Sequence, residues 1–224
     1  MKVQFIHHSS YRIETADRVL VFDYTEGPLD LPTDKAIYFV ATHGHGDHFN
    51  PEIYRHRDRA QYILSFDIDD PIEDAHILHT DEAIEVDGMV FHGFGSTDEG
   101  LSILVEIDGK TIYHSGDLNF WLWPRYSAED IEAMAQDFMR EADKAAAFAP
   151  IDVVMGIVDP RMKDFYYLSS EYFLRKLKPR HFFPLHLWGD FPLSQAFRDK
   201  FEEAYATEIH SLKEDGEVFD INIQ

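Results

Sequence analysis

The chain has 224 residues, 45% hydrophobic and 28% charged, which is the profile of a soluble globular protein long enough to bury a sizeable core. A formal charge of −22 disfavours a track for nucleic-acid phosphates, no apolar run approaches the ~18 residues that span a membrane, and the absence of cysteine excludes a disulfide frame and a thiolate metal site. Carboxylates and thirteen histidines remain, a ligand supply suited to a divalent cation.

The opening MKVQFIHHSS carries no apolar signal segment, so a cytoplasmic location is expected. Short alternating or apolar runs at Val3–Ile6, Tyr11–Glu14 and Val19–Phe22, separated by turn residues, predict three strands. Ile37–Ala41 predicts a buried strand, and Asn50 followed by Pro51 predicts a short helix over Pro51–His56. Strand patterns return at Tyr62–Ser65, Ala83–Val86 and Met89–Phe94. Leu101–Ile107 and Thr111–His114 flank Asp108-Gly109, a hairpin turn signal. Ser127, with Asp130 three residues on, caps a helix whose apolar stripe is Ile131, Met134, Phe138, Met139 and Ala142. Val153–Val158 predicts a strand, Ser169–Leu177 a helix that stops before Pro179, His181–Phe183 a strand and Phe191–Tyr205 a helix. Strands first, then strands alternating with helices, favour one α/β domain over residues 1–224, sheet packed on sheet with helices outside. Tyr11–Asp23 and Ser102–Asp117 echo each other as strand–turn–strand units ending in aspartate.

The chemistry concentrates in ATHGHGDHFN, residues 41–50. His43 and His45 are two apart, so an extended backbone aims both rings to one side, and Gly44 and Gly46 let the chain turn tightly. Asp47 and His48 follow as the chain enters the next helix. One loop thereby presents two ligand pairs in different directions, as a two-metal centre requires.

This H-x-H-x-D-H run resembles the signature of the metallo-β-lactamase superfamily. With HHSSYRIE and VLVFD before it and TIYHSGD and FFPLHLWGD after it, the chain is most similar to the single-domain branch that includes L-ascorbate-6-phosphate lactonases. The resemblance implies an α/β (α+β) four-layer αββα sandwich. It also implies a centre of His43, His45, Asp47, His48, a bridging Asp117 and His186, holding one or two Zn²⁺, with Mn²⁺ or Fe²⁺ as alternatives. Where such proteins usually carry a further histidine, this chain has Gly95-Ser96-Thr97-Asp98. Ser96 stands at the missing ligand's position. Asp98 is either its replacement or a turn acid, and His92 or His114 are the other stand-ins. An oxygen-richer site would tilt from zinc toward manganese or iron.

His8 is a candidate pocket residue. Arg161 and Lys163 are candidates to clamp a phosphate or carboxylate. Phe120, Trp121, Trp123 and Tyr126 are either pocket wall or core, and the acids of Asp67–Asp74 read as solvated surface. The expected activity is hydrolysis of a small-molecule ester, lactone or phosphodiester by metal-activated water, with Asp47 or Asp117 orienting the water or taking its proton. A redox member and a metal-binding protein without catalysis are the rival readings. No nucleic-acid or membrane partner is expected, and the oligomeric state is open.

Overall fold

A computed structural model describes residues 1–223. The strands are β1 (Lys2–His7), β2 (Ser10–Glu14), β3 (Arg18–Phe22), β4 (Ala36–Ala41), β5 (Ala60–Ser65), β6 (His76–Leu78), β7 (Glu82–Val86), β8 (Met89–Gly95), β9 (Leu101–Ile107), β10 (Lys110–His114), β11 (Val153–Ile157), β12 (His181–Leu185), β13 (Glu208–Ile209) and β14 (Val218–Asp220). The α-helices are α1 (Ala128–Ala145), α2 (Leu168–Leu177) and α3 (Phe191–Phe201). None of the described helices is long and apolar enough to cross a membrane.

The strands form two seven-stranded sheets, ordered β14-β1-β2-β3-β4-β5-β6 and β13-β12-β11-β10-β9-β8-β7. Each sheet is antiparallel over its first-crossed pairs and parallel beyond: β3, β4, β5 and β6 run parallel in one, β10, β11, β12 and β13 in the other. The echo in the sequence is therefore structural, since β2–β3 and β9–β10 hold matching places in the two sheets. Alternation sorts the side chains of β3 and β4. Leu20, Phe22, Tyr38 and Val40 enter the core between the sheets, while Val19, Val21, Ile37 and Phe39 face outward. Both faces being covered, these strands read as continuous apolar runs.

The two outer layers differ. α1 and α2 pack on the second sheet, through Phe138 and Phe173 among others. The outer face of the first sheet is closed by a 3-10 helix at Pro51–His56, which contributes Ile53 and Tyr54, and by loop residues such as Phe49 and Ile68. Asn50 does cap Pro51–His56, but as a 3-10 turn rather than an α-helix. In α1 the buried residues are Phe138, Glu141, Ala142 and Ala145. Ile131 lies in an exposed first turn and Met139 is one position round from Phe138, so both face solvent. β12 runs two residues past Phe183 despite Pro184. Its neighbour β13 pairs only with His181 and Phe182, so the proline leaves no ladder partner on that side unsatisfied. β6, β13 and β14 carry too few residues to announce themselves as patterns.

At one end the sheets are stitched together. Leu101 N–H, at the start of β9, donates to Thr42 O, just past β4, at 2.8 Å. Gly100 makes this approach possible: its φ is +63°, and a Cβ there would lie 2.2 Å from Thr42 O. Gly109, with φ +71°, has open space instead. Gly100→Ala is therefore expected to cost at least about 2 kcal/mol more than Gly109→Ala, because both incur left-handed strain but only the first meets backbone. Urea unfolding of the two variants measures the difference, and equal losses would contradict it.

Candidate metal centre

The centre lies at the stitched end. β4 delivers Thr42, His43, His45, Asp47 and His48, β10 is followed by Asp117, and β12 by His186. The tight turn between β1 and β2 adds His8, whose φ is +50°. Asp117 is the hub. Its Oδ1 lies 3.1 Å from His48 Nε2 and 3.3 Å from His186 Nε2, and its Oδ2 lies 3.7 Å from His43 Nε2. Asp47 Oδ2 stands 3.5 Å from His8 Nε2 and 3.9 Å from His186 Nε2. At this end, among the described residues, three groups have ligand atoms close enough to share an ion: His8, Asp47, His48 and His186; His43, His48 and Asp117; and His45, Asp98 and Asp117.

The donor set fits a metal. Nε2 of His8, His43 and His186 and Oδ1 of Asp117 are buried and make no hydrogen bond. Buried polar atoms are nearly always satisfied, so several bare ones converging on one point call for a cation.

The rings are aimed from behind by carboxylates. Asp23 is fully buried after β3 and accepts from Thr42 N–H at 2.7 Å, Thr42 Oγ1–H at 2.7 Å and His48 Nδ1–H at 2.8 Å. Since the Thr42 hydroxyl spends its proton on Asp23, it must accept from His43 Nδ1–H, at 3.1 Å. One carboxylate thus sets the tautomer of two rings and leaves both Nε2 atoms forward. Asp159, at the end of β11, does the same for His186 at 2.8 Å. Asp67, after β5, accepts from Gly44 N–H at 3.2 Å and so steadies the histidine loop.

Burial pushes the His43 imidazole down to about 4. Burial also opposes charge on His48, but the Asp117 and Asp23 carboxylates on either side outweigh it and push that ring up to about 10. Asp47 is held well below the usual carboxylate range by the His8 imidazole that faces it, with Nε2 3.5 Å from Oδ2, and by nearby His48. Asp98 is raised, by burial and by the facing Asp117 carboxylate. Two acids crowding one spot disfavour ionisation until a cation joins them.

All six residues of the expected ligand set, His43, His45, Asp47, His48, Asp117 and His186, come together, and His8 joins them. Asp98 meets His45 and Asp117 at the rim. The Ser96 hydroxyl accepts from Asp98 N–H at 3.2 Å and shapes the turn that presents Asp98. His114 is no ligand candidate: Nε2–H donates to Ser9 O at 2.9 Å, Nδ1 accepts from Gly116 N–H at 3.1 Å, and the ring stacks on Phe22. His92 pairs with Glu106 elsewhere. Arg161 reaches the site but is bound to Asp159 at 2.6 Å, whereas Lys163 is exposed, at φ +52°, and joins no cluster here. Trp121, Trp123 and Tyr126 line a cleft beside His45 and Asp98, together with Arg125, while Phe120 packs on Phe138. Sequence reasoning missed Asp23, Asp159, Asp67 and Arg125. The paired strand–turn–strand units were the available signal for the first, since Asp23 occupies in one sheet the place Asp117 occupies in the other.

Residues 2–129 match the family described as the β-lactamase superfamily domain. A metal-dependent hydrolase of Staphylococcus saprophyticus is 27% identical over 243 residues, covering 95% of this chain and 97% of that one. A solved metallo hydrolase from Ignicoccus hospitalis superposes with a TM-score of 0.68 at 18% identity, covering 99% of this chain and 100% of that one. A diiron β-hydroxylase from Streptomyces venezuelae gives 0.65 at 11% identity, over 98% of this chain and 54% of its own. The last two likenesses concern the fold.

In metal-free protein, His48 should titrate near pH 10 and Asp23→Asn should bring that midpoint down toward 6.5. Because the folded value is raised, the stability this ring contributes is complete below pH 6.5 and lost as pH rises through about 10. An NMR titration of the imidazole resonances checks both points, and a wild-type midpoint near 6.5 would contradict them.

Proposed function

Because the chain belongs to the metallo-β-lactamase superfamily as a metal-dependent hydrolase, we propose that it cleaves a small-molecule ester, lactone or phosphodiester that carries an anionic group. The observation that carries the hydrolase reading is the convergence of bare, buried His43, His186 and His8 Nε2 atoms on Asp117 and Asp47. Asp47, His48 and His186, with His8 beside them, would hold one divalent ion; His43, His45 and Asp98 would hold another; Asp117 stands between the two sets. An ion held there would supply a water of pKa lowered toward ~7 and would polarise a carbonyl or phosphoryl oxygen.

The rest is supplied by the chain. Asp47, half-exposed and kept ionised, orients the attacking water by accepting its hydrogen bond. Trp121 and Trp123 stack at 5.6 Å and exclude solvent from one side of the cleft. The Arg161 guanidinium packs on Trp121, Trp123 and Trp188, with centroids 5.4, 5.4 and 4.8 Å away, and Arg125 lies over Trp123 and Tyr126. Two cations on an aromatic wall, in a chain of charge −22, favour an anionic substrate, and by analogy with the resembling branch a lactone or a phosphorylated small molecule. Arg125 takes the clamp role first given to Lys163.

Asp98 also supports a second reading, a redox centre. A carboxylate in place of imidazole makes one ion position oxygen-richer and better suited to manganese or iron than to zinc. Bound iron with a visible absorption band, and no turnover of any ester, lactone or phosphodiester, would favour it.

His48→Ala or His186→Ala is expected to lower metal content and abolish hydrolysis in a panel of activated esters, lactones and phosphodiesters. Full occupancy with normal rates in either variant would sink the ligand assignment. Calorimetric titration of metal-free wild type with zinc and manganese should give two binding events that belong to the centre. Asp98→Ala should weaken one of them about tenfold or more, since a lost ligand leaves its position to water. Ser96→His should restore nothing, because Ser96 faces the turn. An unchanged isotherm in Asp98→Ala would assign Asp98 to the turn alone.

A further inference from the structure

At the far end of β12 a second histidine cluster stands apart from the centre. His181 is the first residue of β12, while His186 follows its last, roughly 16 Å away along the strand. His210 follows β13, which pairs in parallel with β12, and His210 N–H donates to Phe182 O at 2.9 Å. His181 Nδ1 lies 3.2 Å from His210 Nε2 and 3.3 Å from Glu208 Oε2, and His210 Nε2 lies 3.9 Å from Glu208 Oε1. Donor atoms of a four-coordinate zinc, with bonds of ~2.0–2.2 Å, are about 3.3–3.5 Å apart. Two separations match that edge, and the third closes with a small movement of the exposed Glu208 side chain.

We propose that His181, His210 and Glu208 form an accessory site for a zinc-like divalent ion that clips β13 to β12. Both rings are held in place: His210 stacks on Phe183 at 4.1 Å and packs against Phe219 of β14, and both imidazoles are largely buried. Burial, with His181 and Arg198 nearby, keeps His210 neutral at physiological pH, the form that ligates. Entry is open, because Glu208 and His210 line a cleft of about 520 Å³. Two imidazoles and one carboxylate leave a coordination position to solvent, so the ion is exchangeable. It needs no ion in the centre.

Zinc alone is the probe. Metal-free full-length wild type, His210→Gln and Glu208→Ala are titrated by calorimetry, and bound zinc is counted after gel filtration. Wild type should bind one more zinc per chain than His210→Gln. In Glu208→Ala that extra event should weaken about tenfold while the other events stay unchanged. Equal counts in wild type and His210→Gln would overturn the site and leave a simple imidazole–imidazole hydrogen bond. Should His210→Gln not fold, the exposed Glu208→Ala decides, and an isotherm identical to wild type overturns the proposal.

Discussion

The arrangement depends on one buried carboxylate. Asp23 has no exposed surface, and its two oxygens take three hydrogen bonds from Thr42 and His48. A buried anion is costly unless it is fully partnered. Here the partnering is also what orients the centre, because the Thr42 hydroxyl passes the demand to His43. The loop after β4 therefore cannot drift without unpairing a charge. Asp159 and His186 repeat the device from the second sheet, so the two halves of the centre are each braced by the sheet that carries them.

The topology explains why ligands so far apart in sequence meet. Each sheet ends in a parallel block, and parallel strands send their following loops to the same edge. Asp23, His43 and Asp67 follow β3, β4 and β5; Asp117, Asp159 and His186 follow β10, β11 and β12. Two similar sets of loops face each other across the seam between the sheets, where Leu101 and Thr42 join them.

Much of this was legible. His43 to His48 stand out because glycine-spaced histidines serve no core, and the apolar strands stand out because burial on both faces leaves no polar alternation. Less visible were features that depend on distant partners. Asp23 and Asp159 look like ordinary strand-end acids until their rings arrive from elsewhere in the chain. Ser96 occupies the expected ligand's place in the sequence, yet its hydroxyl is engaged in the turn that brings Asp98 beside His45 and Asp117. His114 carries the right chemistry and is consumed by Ser9 and Gly116. Lys163 and Arg161 looked alike, and the structure separates them: Asp159 and the tryptophans hold Arg161 at the site, while Lys163 is exposed on a left-handed backbone. Strands of two or three residues leave no periodicity to read.

Those short strands have a consequence of their own. A sheet border with unpaired amides is a template on which another chain can lay a strand. Here three of the four borders, β6, β13 and β14, offer only two or three residues, and the fourth, β7, carries Glu82 and Glu85. Added to a net charge of −22, this leaves little purchase for ribbon-like growth between molecules. Two sheets of seven strands each are thus guarded at their borders without a barrel's closure.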